Sequence, residues 1–391
     1  MSKAIVDRII PASLRIEDSF HPYKELIESM AAKTRAAIDP LVDGAKACAL
    51  IGFPNHSNVG DNAIWLGELI YLEQQGIKVL YTCDDASYSP ASLRASIGAD
   101  DPILIHGGGN LGDLYPWHQG TRERVITDFP DHRIIQLPQT ICFTSQENVT
   151  RARKVFLTHD DLHILVRDAS SQIFARESLG IETILAPDSA FFLGPLPRQA
   201  PVVDILWLDR TDDEAKERYC AHMDSGGLEV SVADWLLPGG ARSLKTMKSR
   251  VYSAALTCCL RSGIRGVLAR RLTSIIRSLK FNNQALSNLN RGCILLSRGR
   301  VVITNRLHGH ILCLLMGVPH VILDTLYGKV GHFRNTWMGN LDGVLSAQET
   351  TQAVALAYSL LQDQNLHKSF GGIHLDNTQE FLSSKGRSCL R

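Results

Sequence analysis

The stretch Val301-Val302-Ile303-Thr304-Asn305-Arg306-Leu307-His308-Gly309-His310 decides the fold of this 391-residue chain. It opens with the apolar, β-branched run of a buried strand, and an apolar helix is predicted to follow over 311–316. The polar residues between them therefore lie at the carboxyl edge of a parallel sheet, where open α/β folds bind their ligands. An arginine and a histidine two positions apart at such an edge supply an anion clamp and a proton carrier. The pattern indicates acid catalysis on an anionic substrate.

The same alternation of strands and helices extends along most of the chain. Helices are predicted over 63–75 and 348–362, and apolar strands over 47–52, 79–82, 102–106, 134–137, 163–167, 202–209, 228–232 and 318–323. This alternation is typical of parallel sheets covered by helices, and a proline-rich connector at 194–201 separates two such runs. We therefore predict an N-terminal helical segment over 1–45 and two Rossmann-like, doubly wound domains, 46–197 and 198–391, that face each other across a cleft. The second domain is expected to end in helices.

Composition is that of a globular protein without a membrane span. Hydrophobic residues make up 45% of the chain, charged residues 21%, and the formal net charge is +1. No signal peptide is recognised at the start of the sequence, and no uninterrupted apolar run reaches the roughly 18 residues that a spanning helix needs. Nine cysteines are scattered without CxxC or Cys/His metal spacing. Their pattern predicts buried, reduced thiols in a cytoplasmic protein.

The segment 241–300 departs from this average. It holds 13 Lys or Arg and no Asp or Glu, so the rest of the chain carries 28 basic and 40 acidic residues, a net charge of −12. Apolar residues at helical spacing from Ile264 to Leu279 give it the character of a cationic amphipathic helix, which is typical of a membrane surface. A solvated helix balanced by the acidic remainder is the plainer interpretation. Nucleic acid is a third, although aromatic side chains for stacking are few.

The first glycine-containing turn, 52–62, follows the first predicted strand. Small residues at a strand-to-helix turn leave backbone N–H groups available to an anion. The spacing matches neither a Walker A loop nor a GxGxxG fingerprint, so it does not indicate nucleotide binding. Asp61 either orients a substrate or catalytic group or, as the spacing alone slightly favours, is the cap of the next helix, for which Asn62 is the other candidate.

A second turn, His106-Gly107-Gly108-Gly109-Asn110, follows the strand over 102–106. Three consecutive glycines allow a ligand to approach the backbone closely, at a cost in chain entropy that favours a functional reason. Asn110 and the nearby Asp113 are expected to face the same cleft.

Two charged residues follow later strands and have structural alternatives. Arg167 either binds an anion, pairs with Asp168 or caps the next helix. Asp188 is interpreted as a turn or cap residue. Arg306 and His308 could likewise form a satisfied structural pair at a domain interface. No metal site is predicted, because no third ligand has recognisable spacing.

In this order the motifs resemble those of the polysaccharide pyruvyltransferase family. The matching pieces lie within residues 48 to 335, at 58–62, 107–110, 166–168, 187–188 and 305–309. The resemblance leaves out the first 45 residues and the basic segment. It implies the transfer of a pyruvyl group from phosphoenolpyruvate onto two hydroxyls of a sugar, which makes a cyclic ketal. It also implies a fold like that of two-domain glycosyltransferases of the GT-B type.

The resemblance assigns a role to each matching residue. Arg167 and Arg306 would bind the phosphate and carboxylate of phosphoenolpyruvate, and Leu307 would contact the donor through its backbone. His308 would be the general acid, and Asp61 an acidic residue important for activity. Acceptor or loop contacts are expected from Asn58, Gly107, Gly108, Gly109, Asn110 and Asp113. Phosphoenolpyruvate is a donor substrate, and no cofactor or metal is implied.

On this interpretation the partners are phosphoenolpyruvate and a lipid-linked oligosaccharide at the inner face of the membrane. The anionic surface of that membrane would attract the segment 241–300 as a peripheral anchor, and nucleic acid is not expected as a partner. Two other functions stay open. One is a GT-B glycosyltransferase that uses a nucleotide sugar, with its diphosphate in the glycine turn. The other is a non-catalytic, membrane-associated scaffold.

Overall fold

The structure, a computed structural model, describes Arg15 and residues 21–210, 227–236, 250–255, 267–324 and 327–363. Within these residues two sheets succeed one another along the chain. All strand pairs in both sheets are parallel, which confirms the predicted α/β class with helix-covered parallel sheets. The domain boundaries stay a prediction.

The first sheet is built from seven strands. They are β1 (Ala47–Ile51), β2 (Lys78–Cys83), β3 (Ile103–Ile105), β4 (Gly108–Gly112), β5 (Ile134–Cys142), β6 (Leu162–Val166) and β7 (Ile184–Leu185). Their order is β2-β1-β3-β5-β6-β7, with β4 also beside β5. The helices are α1 (Lys24–Val42), α2 (Val59–Gln74), α3 (Pro90–Arg94), α4 (Pro116–Asp128), α5 (Gln146–Phe156) and α6 (Ala169–Phe174). A π-helical turn (Ala175–Leu179) extends α6, and 3-10 turns lie at Asp85–Ser87 and Ser189–Leu193.

The second sheet has five strands and continues the pattern. They are β8 (Val203–Leu208), β9 (Val230–Ala233), β10 (Gly299–Thr304), β11 (His320–Leu323) and β12 (Val344–Ala347), in the order β12-β11-β10-β8-β9. The long helices are α7 (Val267–Leu296), α8 (Leu307–Met316), α9 (Lys329–Trp337) and α10 (Thr350–Gln362). Residues 250–255 are also helical. No described helix is both long and apolar enough to span a bilayer.

Two boundaries near the glycine turns differ from the prediction. Helix α2 begins at Val59, four residues before the predicted start, and Asn58 rather than Asp61 or Asn62 caps it, since Asn58 Oδ1 accepts from Gly60 N at 3.2 Å. The predicted cap was therefore wrong. Strand β5 runs past Pro138 to Cys142, because a shift of register there accommodates the proline and β4 pairs with the extension.

One apolar core joins the two sheets. Helix α2 is buried on nearly every side, and its neighbours in this core include α1, α7, α8 and β8. The four apolar positions predicted for the N-terminal helix (Ile27, Met30, Ile38 and Leu41) are buried in α1, as expected. Gly292 of α7 lies so close to α2 that a β-carbon there would be 2.3 Å from Val59 Cγ1.

The segment 241–300 is only partly the surface helix that was predicted. Residues 241–249 and 256–266 lie outside the described residues. From Phe281 onward α7 packs into the core, with Ala285, Leu289, Cys293 and Leu296 buried, so this part is not a membrane surface. Two apolar side chains before it, Ile275 and Leu279, are 56% and 46% exposed. The described cysteines (Cys48, Cys83, Cys142, Cys293 and Cys313) are free, and all but the half-buried Cys142 are buried, as predicted.

Candidate active site

The carboxyl ends of strands from both sheets surround one cavity of about 280 Å³. Residues after β1, β4 and β6 line it from the first half, and residues after β8, β9, β10 and β11 from the second. Parallel strands ending together account for this convergence. The lining residues are Gly52, Pro54, His56, Asn58, Asp61, Gly109, Asn110, Tyr115, Trp117, His118, Arg167, Arg210, Trp235, Leu236, Arg306, Leu307, His308 and Lys329.

Arg167 and His308 meet on a single carboxylate oxygen. Nη1 of Arg167 donates to Asp188 Oδ2 at 2.6 Å, and Nε2 of His308 donates to the same oxygen at 3.3 Å. Nε of Arg167 donates to Thr140 Oγ1 at 2.9 Å. Arg167 and His308 are 141 positions apart in the sequence, and the fold brings them to one point.

Asp188 has two structural tasks. Its Oδ1 caps the 3-10 turn by accepting from Ala190 N at 2.9 Å, as the sequence predicted, whereas its Oδ2 belongs to the cluster with Arg167 and His308. Burial alone would raise the pKa of Asp188, but the charge and hydrogen bond of His308 and the charge of Arg167 hold this pKa well below its usual range. Asp188 is therefore ionised at neutral pH. Sequence reasoning missed this second role, because a cap explained the residue fully.

Arg167 does not pair with Asp168. Asp168 instead caps α6 by accepting from Ser171 N at 2.8 Å, and it accepts from Thr140 Oγ1 at 2.8 Å. The structural alternative of an Arg167–Asp168 pair is therefore wrong.

The second guanidinium, that of Arg306, is held in a fork by Asp234. Nη2 of Arg306 donates to both carboxylate oxygens of Asp234, at 2.8 and 2.9 Å, and its guanidinium carbon lies 5.4 Å from the ring centroid of Trp235. This fixes a planar cation at the start of α8, where Arg306 is the N-cap. Arg306 and His308 are held by different carboxylates, so they do not form the structural pair that was one alternative. Leu307 is buried and lines the cavity.

Asp61 lies in the first turn of α2 and faces the cavity. Its Oδ2 accepts from Asn58 Nδ2 at 2.8 Å and lies 3.6 Å from Nε2 of His56. Burial would raise the pKa of Asp61, but His56, and after it His308, His106 and Arg167, lower the pKa below its usual value. Asp61 is therefore a carboxylate at neutral pH, and the cavity holds an acceptor for a proton next to its cations.

Gly60 and Gly309 allow His308 to take its position. A β-carbon at Gly60 would be 2.3 Å from His308 Nδ1, and a β-carbon at Gly309 would be 2.2 Å from Thr304 Oγ1. His310, two residues further along α8, points away from His308, as expected for a turn that is already helical. It is fully buried, and its Nδ1 lies 2.7 Å from Nε2 of His320.

The three glycines of the second turn have different surroundings. Gly107 and Gly108 are buried and do not line the cavity, and Gly107 N donates to Glu68 Oε1 at 2.8 Å. Gly109 does line it, and a β-carbon there would be 2.9 Å from Arg167 Nη2 and 3.6 Å from Lys329 Nζ. Of the three glycines, Gly109 alone lines the cavity, and its missing side chain makes room for the guanidinium of Arg167.

Asn110 lines the cavity, but Asp113 does not. The carboxylate of Asp113 accepts from Thr144 N at 2.7 Å and from Ser145 N at 2.8 Å, before the start of α5. Its predicted place beside Asn110 was wrong, because β4 carries Asp113 past the cavity to the far end of β5. Oδ1 of Asn110 accepts from Arg122 Nη2 at 2.8 Å and from Gln139 Nε2 at 3.0 Å.

Sequence reasoning missed two buried cations of the site, Arg210 and Lys329. Arg210 follows β8 and Lys329 opens α9 after β11, so both obey the strand-end rule that identified Arg167 and Arg306. Arg167, Arg210, Arg306 and Lys329 face the cavity together with one carboxylate, Asp61. The lining is therefore suited to a small, multiply charged anion. No group of three or more described His, Cys, Asp or Glu side chains is arranged to hold a metal ion.

The chain is similar to several known proteins. A family model described as polysaccharide pyruvyl transferase matches residues 58–327. The chain is 34% identical to pyruvyl transferase 1 of Schizosaccharomyces pombe, over 82% of this chain and 77% of that protein. It is 30% identical to EpsO of Bacillus subtilis, over 73% of this chain and 84% of that protein. An uncharacterised protein from Klebsiella pneumoniae shares the fold, with a TM-score of 0.53 and 18% identity over 82% of this chain and 99% of that one.

Proposed function

The chain belongs to the polysaccharide pyruvyl transferase family, and we propose that it transfers the pyruvyl group of phosphoenolpyruvate onto two hydroxyls of a sugar. One observation carries the proposal. Arg167, Arg306 and His308, from the two halves of the chain, line a single cavity in which cations outnumber carboxylates.

The donor matches the cavity in charge and size. Phosphoenolpyruvate carries nearly three negative charges on two groups, and guanidinium forks suit both a phosphate and a carboxylate. Arg167 and Arg306 line the cavity, and each is held by an aspartate, Asp188 and Asp234 respectively. A volume of about 280 Å³ is at the low end for ligand pockets, which favours a small donor over a nucleotide sugar.

The proposed reaction begins with a proton transfer. His308, as an imidazolium, gives its proton to C3 of phosphoenolpyruvate, so the methylene becomes a methyl group and C2 becomes electrophilic. A sugar hydroxyl then forms a bond to C2 and transfers its proton to the carboxylate of Asp61, which lines the cavity. The N-terminal N–H groups of α8 and the surrounding cations stabilise the charge that develops on the donor.

Loss of phosphate completes the first half and prepares the second. The bond from C2 to the phosphate oxygen breaks, and the phosphate leaves with its electron pair toward the cations. The second hydroxyl bonds to C2 and closes the ketal ring. Of the two hydroxyl protons, one balances the proton given to C3, and the other leaves with the inorganic phosphate. Phosphoenolpyruvate and a diol thus yield a ketal and hydrogen phosphate.

The acceptor in this proposal is a sugar of a lipid-linked exopolysaccharide or cell-envelope precursor at the inner face of the membrane. Support comes from the basic residues within 241–280 and from Ile275 and Leu279, which are exposed one turn apart on α7. We also propose the two-domain arrangement of the GT-B type, which the two successive parallel sheets around one cavity support.

The test of the chemistry uses purified protein, phosphoenolpyruvate and a panel of hexopyranosides. Phosphate release that depends on the glycoside, with a glycoside product heavier by one pyruvyl ketal in mass spectrometry, is expected. Consumption of nucleotide sugars in place of phosphoenolpyruvate would contradict the proposal. Cells with Arg306→Ala that still make fully modified polymer would point instead to a scaffold.

The membrane role is tested separately by co-sedimentation with vesicles. Binding to vesicles that contain anionic lipid is expected to weaken as salt is raised, because screening removes the attraction. The variant Ile275→Asn/Leu279→Asn should bind less, since it removes the exposed apolar pair while keeping every basic residue. Absence of salt-sensitive binding by the unaltered protein refutes this part without touching the chemistry.

A further inference from the structure

The cavity has a buried floor and a partly exposed wall. All four Arg and Lys side chains that line it, Arg167, Arg210, Arg306 and Lys329, are buried, and so is His308. The wall comes from the first half of the chain, where the lining residues 56, 58, 61, 109, 110, 115 and 118 are partly exposed and residue 117 is exposed. The cavity therefore has two sides that differ in charge and exposure. The deep side is cationic and suits an anionic ligand, and the outer side carries none of the four Arg and Lys side chains.

Three rings at the start of α4 form the outer side. The ring centroids of Tyr115 and Trp117 are 5.8 Å apart, those of Trp117 and His118 5.7 Å, and those of Tyr115 and His118 6.2 Å. His118 is held in place by Asp85, whose Oδ2 lies 2.6 Å from its Nδ1. We call these three rings the aromatic wall.

Trp117 is the most exposed ring of the aromatic wall. Its side chain is 58% exposed, which makes it the most exposed aromatic ring among the described residues, although it lines a cavity. A ligand that covers a large apolar ring lining a cavity removes its surface from water, which is favourable. The ring is fixed by its neighbours, so it presents a preformed apolar surface.

We infer that the aromatic wall binds the pyranose ring of the acceptor sugar, an inference that rests on the proposed function. One face of a pyranose is rich in C–H groups and stacks on an aromatic ring, while its edges carry hydroxyls that need hydrogen bonds. The wall is the part of the cavity that offers this combination, since the floor presents cations that a neutral sugar does not need.

Asn110 and Asp61 supply the polar contacts between the wall and the floor. The oxygen of Asn110 is already occupied by Arg122 and Gln139, so its amide NH₂ is the group left to donate to a sugar hydroxyl. Asp61 accepts hydrogen bonds and lies in the same cavity lining. A sugar stacked on Trp117 thus directs its hydroxyl edge toward the proton acceptor and the donor on the floor.

The experiment measures binding without turnover. Methyl glycosides of glucose, galactose and mannose, and the nucleotide UMP, are titrated into the full-length protein. Binding is followed by saturation-transfer NMR and calorimetry, and phosphoenolpyruvate is titrated in parallel.

For at least one glycoside, Trp117→Ala should weaken binding by on the order of tenfold or more, the effect typical of a tryptophan that becomes buried in a complex. Trp117→Phe should retain most of the affinity, and phosphoenolpyruvate affinity should stay within about twofold. Tyr358→Ala, which removes a 43% exposed ring on α10, is the matched control and should change nothing.

The outcomes separate the two proposals. Glycoside binding that depends on Trp117 in a protein that does not use phosphoenolpyruvate supports the aromatic wall and rejects the proposed reaction. Unchanged glycoside affinity in Trp117→Ala overturns the inference, and so does failure of the unaltered protein to bind any of the glycosides. Trp117-dependent binding of UMP alone also overturns it, because the wall would then recognise a nucleotide base.

Discussion

Gly60 lies directly against the imidazole of His308, so that a β-carbon at position 60 would be 2.3 Å from Nδ1 and 2.4 Å from Cγ of the ring. The two residues come from opposite halves of the chain, and the missing side chain of one makes room for the other. Cγ and Cβ of the histidine would also lie within 2.6 Å of that β-carbon, so a rotation of the ring alone does not relieve the clash.

The first prediction is that Gly60→Ala lowers turnover about 10²-fold or more while the protein stays folded. The added methyl group displaces His308 from its position, and loss of a general acid costs on this order. Phosphate release measures turnover, and thermal unfolding measures folding. Gly120→Ala is the control, since a β-carbon at that position of α4 meets nothing within 4 Å. Near-normal turnover in Gly60→Ala would show that this packing does not matter for the reaction.

The second prediction separates proton transfer from donor binding. His308→Ala should reduce turnover by about 10²-fold or more, typical of a general acid, because C3 of the donor then lacks its proton source. Calorimetry should still detect phosphoenolpyruvate binding, since Arg167, Arg306 and Lys329 remain in the cavity. If the variant neither turns over nor binds the donor, His308 is a binding residue and the assigned acid role is wrong.

The third prediction concerns the shape of the cation at position 167. Arg167→Lys keeps the charge but loses the fork that contacts Thr140 and Asp188 simultaneously. Donor affinity should fall about tenfold or more, the effect of one or two charge-assisted hydrogen bonds. Arg176→Lys serves as the control, because Arg176 makes only an exposed ion pair with Glu177. Equal donor affinity in Arg167→Lys and the unaltered protein would exclude a fork-like contact.

The fourth prediction is that the buried pair His310 and His320 makes the protein acid-sensitive. Nδ1 of His320 donates to the carbonyl of Val318, so its Nε2 accepts from His310 Nδ1, and both rings are neutral. Burial is the largest cause that lowers both pKa values: that of His320 falls to about 4, and that of His310 lies well below 6.5. Their stabilising effect is therefore present above pH 6.5 and is lost as the pH falls from 6.5 toward 4, because the unfolded chain binds protons first.

Urea unfolding at several pH values between 7.5 and 5 measures this effect. Each histidine should contribute a loss in the free energy of unfolding of about 1.4 kcal/mol per pH unit below its unfolded pKa. The variant His310→Gln/His320→Gln should show a flatter dependence on pH. The comparison between the two proteins matters, since the pKa of His106 is raised by Glu68 against the effect of burial, and His106 contributes with the opposite sign. Identical slopes would mean that these rings do not titrate on unfolding.

The sequence was most informative at the ends of strands. Val301 to Thr304 has an apolar run that only a buried strand explains, and the same reasoning located β1, β2, β6 and β8 to within about a residue or two. The sequence was less informative where a residue that disfavours β-structure lies inside a strand. The predicted strand over 134–137 stopped before Pro138, yet β5 continues to Cys142 through a register shift, because the neighbouring β4 supplies new backbone partners.

The site could be predicted only as far as each residue had a local signal. Arg167, Arg306 and His308 follow predicted strands, and all three line the cavity. Asp234, which holds Arg306, also follows a predicted strand, but its contact with Arg306 could not be predicted because it depends on β9 lying beside β8 in space. Asp113 follows the glycine turn in sequence, but the unpredicted strand β4 places it elsewhere. The aromatic wall likewise depends on how α4 approaches the sheet.

The apolar core shared by both sheets has a consequence for how this protein reaches a reactive state. If α2, α7 and α8 are locked into one interior, the relative placement of Arg167, Asp188 and His308 is settled when the chain folds rather than when a substrate arrives. The conformational entropy lost in positioning the catalytic residues is then lost during folding. A donor that enters the cavity therefore meets residues that need little reorganisation. Catalysis then depends on the packing of the shared core. A cavity created between these helices should lower turnover at temperatures well below the unfolding temperature.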